Sequence, residues 1–143
     1  MKLFQIEEPD GSPSDPDAPG AAIGIDATAA QGEVAFAVGG NAVRLEDREG
    51  FAVELPVPPA DAPAGDWRSF FEAARLRAER ALGRPVTHAV VATAAANAAR
   101  LAGAAEAAGI TLLHVMGREG RGQPPVFAAA VMAEDLAPRP ESP

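Results

Sequence analysis

The chain has 143 residues, of which 48% are hydrophobic and only 5% aromatic, and its formal net charge is −8. This length predicts one domain with a core of small and aliphatic side chains. The acidic balance argues against binding to nucleic acids or to anionic membranes, because both require a basic surface. The chain has no cysteine, which excludes disulfides and thiolate metal sites. Because it also shows no membrane-span or signal-peptide pattern, we expect a cytoplasmic protein.

Two tails flank the predicted domain, which covers residues 21–136. Residues 1–20 are predicted to be a flexible N-terminal tail, since residues 9–20 are rich in Pro, Gly, Asp and Ser. Its first part, residues 1–8, carries Leu3, Phe4 and Ile6. These side chains either belong to a segment that folds back or is disordered, or they form a docking peptide for a protein partner. Residues 137–143 are predicted to be a flexible C-terminal tail.

The first half of the domain reads as strands separated by turns. The Gly39-Gly40 pair is a strong hairpin signal, whereas the proline-rich stretch Pro56–Gly65 reads as a loop. The predicted strands are Ala21–Asp26, Glu33–Val38, Asn41–Leu45 and a further short segment at Phe51–Leu55.

A helix is predicted next, over Trp67–Leu82, because its apolar residues recur with helical spacing. Asp66 is the expected N-cap and Gly83 the expected stop. Pairing of Glu72 with Arg75, three residues apart, is expected to support the helix.

The second half alternates strands and helices. The predicted elements are a strand at Val86–Thr93, a helix at Ala94–Ala108, a strand at Ile110–Met116 and a helix at Val126–Leu136. The resulting order, β-β-β-α-β-α-β-α, predicts an α/β lobe with a mixed sheet. It is the order of the ribonuclease-H-like fold, which the actin-type ATPases share.

Five stretches carry a resemblance to a known family. They are "IGID", "EVAFAVGGNAVRLEDREG", "AARLRAERALGRPVTHAVVAT", "AAEAAGITLLHVMGREG" and "VFAAAVM". Over residues 21–136 the chain resembles the first lobe of the nucleotide-binding domain of the 70-kilodalton heat-shock chaperones. The resemblance implies a site for Mg-ATP near Asp26, Thr28 and Glu119, which matches the acid of the family's Asn-Glu-Pro turn.

The departures from that family predict a degenerate site. In the family a Gly-Thr-Thr turn follows the first Asp and binds phosphate, because glycine allows close approach and the hydroxyls donate. Here the corresponding residues are Ala27, Thr28, Ala29 and Ala30. The 143 residues also hold no counterpart of the family's second lobe, which supplies the adenosine pocket. We therefore expect no ATPase activity and no bound cofactor.

Other chemical interpretations of these residues are weaker. Asp26 either caps the following turn or contacts Mg²⁺ or phosphate. Too few acids converge for a two-metal nuclease, and we expect no catalytic residue and no resident metal. His88 and His114 lie in predicted strands, where packing is the usual role. Arg118 and Arg121, in the loop Gly117–Gly122, are either solvated or contact an anion or an acidic partner.

Two functions follow as expectations. The first is a non-catalytic, chaperone-like accessory or scaffold protein that binds a protein partner. The alternative is a nucleotide-binding half-protein whose ATP site is completed by another chain or by dimerisation. A homo-oligomer is left open.

Overall fold

A computed structural model describes residues 20–45, 55–59, 61–93, 98–117 and 124–137. The elements in these ranges follow the predicted order β-β-β-α-β-α-β-α, so the α/β class is confirmed. The strands are β1 (Ala21–Ala27), β2 (Glu33–Val38), β3 (Asn41–Arg44), β4 (Val86–Thr93) and β5 (Thr111–Met116), and the helices are α1 (Ala64–Leu82), α2 (Ala98–Ala107) and α3 (Pro125–Leu136).

The strands form one mixed sheet in the order β3-β2-β1-β4-β5. The hairpin neighbours β1–β2 and β2–β3 are antiparallel, whereas β1–β4 and β4–β5 are parallel. After two antiparallel turns β3 runs in the same direction as β1, and α1 and α2 then carry the chain back before β4 and β5, so that β4 is parallel to β1 and β5 is parallel to β4. As a result, the carboxyl ends of β1, β4 and β5 meet at one edge, where Ala27 lies opposite Thr93 and Ala92 opposite Met116.

Helices cover both faces of the sheet. The larger core lies on one face, where α1 and α2 bury Trp67, Phe71 and Leu101 against residues such as Ile25 and Val91. On the other face α3 packs on small side chains of β1 and β2 and on Val90 of β4. Because β1 is covered on both sides, all seven of its residues are buried, as in strands at the centre of α/β sheets.

The start of α1 differs from the prediction. The helix begins at Ala64, and its N-cap is Pro63, which makes no side-chain capping bond. The Pro63 carbonyl accepts the N–H of Asp66 at 3.0 Å, so the first turn is already closed when the chain reaches Asp66. The predicted role of Asp66 as N-cap is therefore wrong, and Asp66 lies exposed within the first turn. The predicted end at Gly83 is confirmed, with φ of 69° and an N–H bond to the Glu79 carbonyl.

Arg75 of α1 pairs with Glu79 rather than with the predicted Glu72. Its Nη1 lies 3.2 Å from Glu79 Oε1, and its Nε donates to the Ala108 carbonyl at 2.9 Å. Glu79 Oε2 in turn accepts the N–H of Val86 at 2.9 Å. The pair therefore links α1 to the end of α2 and to the start of β4, which a solvent-facing pair would not do.

Several predictions concern residues outside the described ranges. These are residues 1–19 of the N-terminal tail, residues 51–54 of the predicted short strand and residues 138–143 of the C-terminal tail. The predicted start of α2 at Ala94 also lies outside those ranges, and the remaining element bounds agree with prediction to within one residue. None of the helices in the described part of the chain is long and apolar enough to cross a bilayer.

Candidate functional site

The best sequence candidate for a site, Asp26, lies at the carboxyl end of β1 and is only 8% exposed. Its Oδ1 accepts two hydrogen bonds, one from the Thr28 N–H at 2.8 Å and one from Thr28 Oγ1 at 2.6 Å. This is an Asx-type turn, in which a side chain satisfies the backbone two residues further on. The structure thus brings Asp26 and Thr28 together, but it directs the only hydroxyl of the turn onto the carboxylate.

Hydrogen bonds also join the same turn to residues 55–59. The Gly32 N–H donates to the Leu55 carbonyl at 2.7 Å, and the Ala30 carbonyl accepts the Val57 N–H at 3.0 Å. The side chain of Gln31 adds a third contact, because its Oε1 accepts the Leu55 N–H at 2.9 Å. Sequence reasoning missed this role of Gln31, since nothing local marks a partner 24 residues away.

These bonds limit what the turn can do chemically. A phosphate cradle needs several free N–H groups that point at one anion. Of the N–H groups in this turn, that of Thr28 is bonded to Asp26 and that of Gly32 to Leu55. These two N–H groups are therefore used within the protein and are not free to bind an anion.

Six residues predicted to contact a nucleotide or a partner lie outside the described residues. They are Leu3, Phe4, Ile6, Arg118, Glu119 and Arg121. Among the residues that are described, no group of three or more His, Cys, Asp or Glu side chains could hold a metal ion.

Both histidines lie in strands, as predicted. His88 Nδ1 lies 2.7 Å from Thr87 Oγ1, and His114 is exposed on β5.

Gly39 and Gly40 form the predicted hairpin turn, with φ of 61° and 85°. Sequence reasoning did not find that both of their N–H groups donate to Glu134 of α3.

A second candidate site is a groove beside the turn, which we call the proline groove. It has a volume of about 500 Å³ and is open to solvent. Its lining residues come from the extended segment and from the first half of α1: Leu55, Pro56, Val57, Pro58, Pro59, Asp66, Ser69, Phe70 and Ala73. Phe70 joins the groove to the turn, because a Cβ on Gly32 would lie 2.9 Å from its Cε1.

Comparison with known proteins identifies no family for this chain. No protein-family model matches it, and no curated protein matches it significantly.

Proposed function

We propose that the chain is a non-catalytic, chaperone-like accessory or scaffold protein that binds a protein partner. In this proposal it is a ribonuclease-H-like lobe related to the first lobe of the heat-shock chaperone ATPases, without their ATP hydrolysis. The element order and the mixed sheet support this relationship, as do the sequence stretches that resemble the family.

The observation that carries the proposal is the turn after β1. Asp26 Oδ1 is occupied by both donors of Thr28, and the Gly32 N–H is bonded to Leu55. A nucleotide phosphate that used these groups would have to displace the internal bonds. Since buried polar groups are costly to leave unpaired, we expect the turn to keep them.

Calorimetry of the full chain with Mg-ATP and with Mg-ADP tests the absence of nucleotide binding. We expect no heat of binding at ligand concentrations in the tens of micromolar. Micromolar affinity for either nucleotide, lost in Asp26→Asn, would contradict the proposal.

Affinity purification of the full chain tests the partner. We expect a stable co-purifying protein whose recovery falls when residues 1–8 are deleted, because Leu3, Phe4 and Ile6 are the candidate docking side chains. Recovery of no stable partner by either form would speak against the scaffold function.

The alternative, a nucleotide-binding half-protein, is favoured by one observation. Asp26 and Thr28 lie at the carboxyl edge of the parallel strands, where open α/β sheets place their ligands. Light scattering with and without Mg-ATP separates the two functions. A nucleotide-dependent dimer would support the alternative, and a monomer that Mg-ATP leaves unchanged would count strongly against it.

A further inference from the structure

One wall of the proline groove, residues 55–59, has no free backbone donor. Two of its carbonyls are already bonded, that of Leu55 to the Gly32 N–H and that of Pro59 to the Ala62 N–H and Trp67 Nε1, whereas those of Pro56, Val57 and Pro58 have no such bond within the described residues. Pro56, Pro58 and Pro59 have no N–H group. The two remaining N–H groups are already bonded, that of Leu55 to Gln31 Oε1 at 2.9 Å and that of Val57 to the Ala30 carbonyl at 3.0 Å. A ligand on this wall can therefore donate hydrogen bonds to it but cannot receive one from its backbone.

The opposite wall is the first half of α1, and it places one charge at the groove. Asp66 is the only charged residue among the described residues that line it. Its carboxylate is exposed and makes no capping bond, because the helix begins earlier, at Ala64. Since an N-cap carboxylate would be bonded to its own helix, the early start leaves this one able to face a ligand.

The floor of the groove is apolar. Phe70 and Leu55 are buried and line it, and the three prolines present hydrocarbon rings. The volume of about 500 Å³ falls within the range of roughly 300–1,000 Å³ that is usual for ligand sites. An apolar side chain seated there would lose its contact with water at little polar cost.

We propose that the proline groove binds a segment of a protein partner that carries an arginine or lysine beside an apolar side chain. The basic group is a donor only, which matches the carbonyls of Pro56, Val57 and Pro58 and the carboxylate of Asp66. The net charge of −8 favours a basic partner at longer range as well. The inference rests on the proposed partner-binding function and names the chemistry of the segment bound.

A peptide cannot bind to the proline wall by adding a strand to it. An added strand needs alternating donors and acceptors from the edge that it joins, and residues 55–59 have no N–H group left to give. Side-chain recognition is therefore the mode that the wall permits.

The test uses isotope-labelled full chain and two synthetic probes at physiological salt. The first probe is acetyl-Leu-Arg-Leu-Arg-amide, and the second is acetyl-Leu-Glu-Leu-Glu-amide. We expect the arginine probe to shift the amide resonances of Val57, Asp66 and Ser69, and the glutamate probe to leave them in place. Asp66→Asn is expected to weaken the arginine probe about threefold, as for an exposed ion pair. Ala73→Trp, at an exposed position of the wall, is expected to abolish its binding.

Asp135→Asn is the matched control, because it removes one exposed carboxylate from α3 on the other face of the sheet. Equal binding of both probes, or the same affinity in Asp66→Asn as in wild type, would overturn the inference. Tenfold tighter binding after deletion of residues 1–8 would assign the groove to the chain's own tail. Shifts of the same amides with protein concentration alone would assign it to a second copy. Either result would also overturn the inference.

Failure of this inference is distinguishable from failure of the proposed function. If a partner co-purifies equally with wild type and Asp66→Asn and the arginine probe does not bind, the groove proposal is wrong and the scaffold function stands. If no partner co-purifies while the probe binds as expected, the groove is a peptide site and the scaffold function is wrong.

Discussion

The carboxylate of Glu134 accepts the backbone N–H of Gly39 at 2.6 Å, across 95 positions of sequence. Its second oxygen accepts the N–H of Gly40 at 2.9 Å. Both glycines have positive φ, and successive N–H groups in such a turn point toward a common anion. The end of α3 is thereby bonded to the turn between β2 and β3.

Glu134→Gln is predicted to lower the free energy of unfolding by about 0.5–1 kcal/mol, since one charged acceptor is lost at an exposed site. Urea denaturation measures the change, with Asp135→Asn on the same helix as the control. If both variants lose the same stability, the bond to the hairpin contributes nothing measurable.

Gly24 is predicted to tolerate no side chain. A Cβ at this position would lie 2.2 Å from the backbone nitrogen of Ala130 and 2.6 Å from its Cα, so α3 would have to move away from β1. We expect Gly24→Ala to lower the free energy of unfolding by about 3 kcal/mol, which is at the upper end of the range for overpacked sites. Chemical denaturation of the purified variant measures this cost.

Gly103→Ala is the control for that substitution. Gly103 lies inside α2, and a Cβ at this position would have no neighbouring atom within 4 Å, so alanine should stabilise the helix by up to about 1 kcal/mol. We therefore expect Gly24→Ala to lower the free energy of unfolding and Gly103→Ala to raise it. Destabilisation by less than about 1 kcal/mol in Gly24→Ala would show that α3 can shift at little cost.

Arg75 is predicted to stabilise the fold beyond its own helix. Arg75→Ala removes the bond to the Ala108 carbonyl and the pair with Glu79, and both side chains are only about a quarter exposed. We expect a loss of about 1–2 kcal/mol. Thermal or urea unfolding checks it, with the exposed Arg68→Ala on the same helix as control. A double-mutant cycle with Glu79→Ala then isolates the pair, and a coupling energy of zero would contradict the network.

His88 is predicted to make stability depend on pH. Burial lowers the pKa of His88 below its ordinary value of 6.5, so the unfolded chain binds this proton more readily than the folded one. Its contribution is therefore complete above about pH 6.5 and is lost as the pH falls through 6.5 toward the lower folded pKa. His88→Gln should flatten the decrease in melting temperature between about pH 7.5 and 5. Identical pH profiles for wild type and His88→Gln would contradict the prediction.

The order of the elements could be predicted because its signals are local. The helical spacing of Trp67, Phe70 and Phe71, the glycines that end β2 and α1, and the apolar run of β4 each act within a few residues. The Asx turn of Asp26 belongs to the same class, since its partner Thr28 is two residues away. The sequence leaves that turn open between a structural and a ligand-binding role for the carboxylate.

The errors concern charged side chains for which the local pattern allows more than one setting. Helical spacing permits Arg75 to pair with Glu72 or with Glu79. In the structure it pairs with Glu79 while its Nε donates to the Ala108 carbonyl, which only the packing of α1 against α2 brings within reach. An acid before an apolar stripe is usually an N-cap, which is why the sequence predicts that role for Asp66. The backbone closes the turn at Pro63 instead, and Asp66 becomes part of a wall of the proline groove.

By itself, the sequence determined the α/β class, the order of eight elements and the position of Asp26 at the end of β1, because periodicity, capping and turn chemistry are short-range. Tertiary structure alone decided that Gln31 holds Leu55, that Glu134 holds the Gly39-Gly40 turn, and that a groove opens beside α1. These contacts join residues far apart in the chain, and only the folded arrangement of the elements brings them within hydrogen-bonding distance.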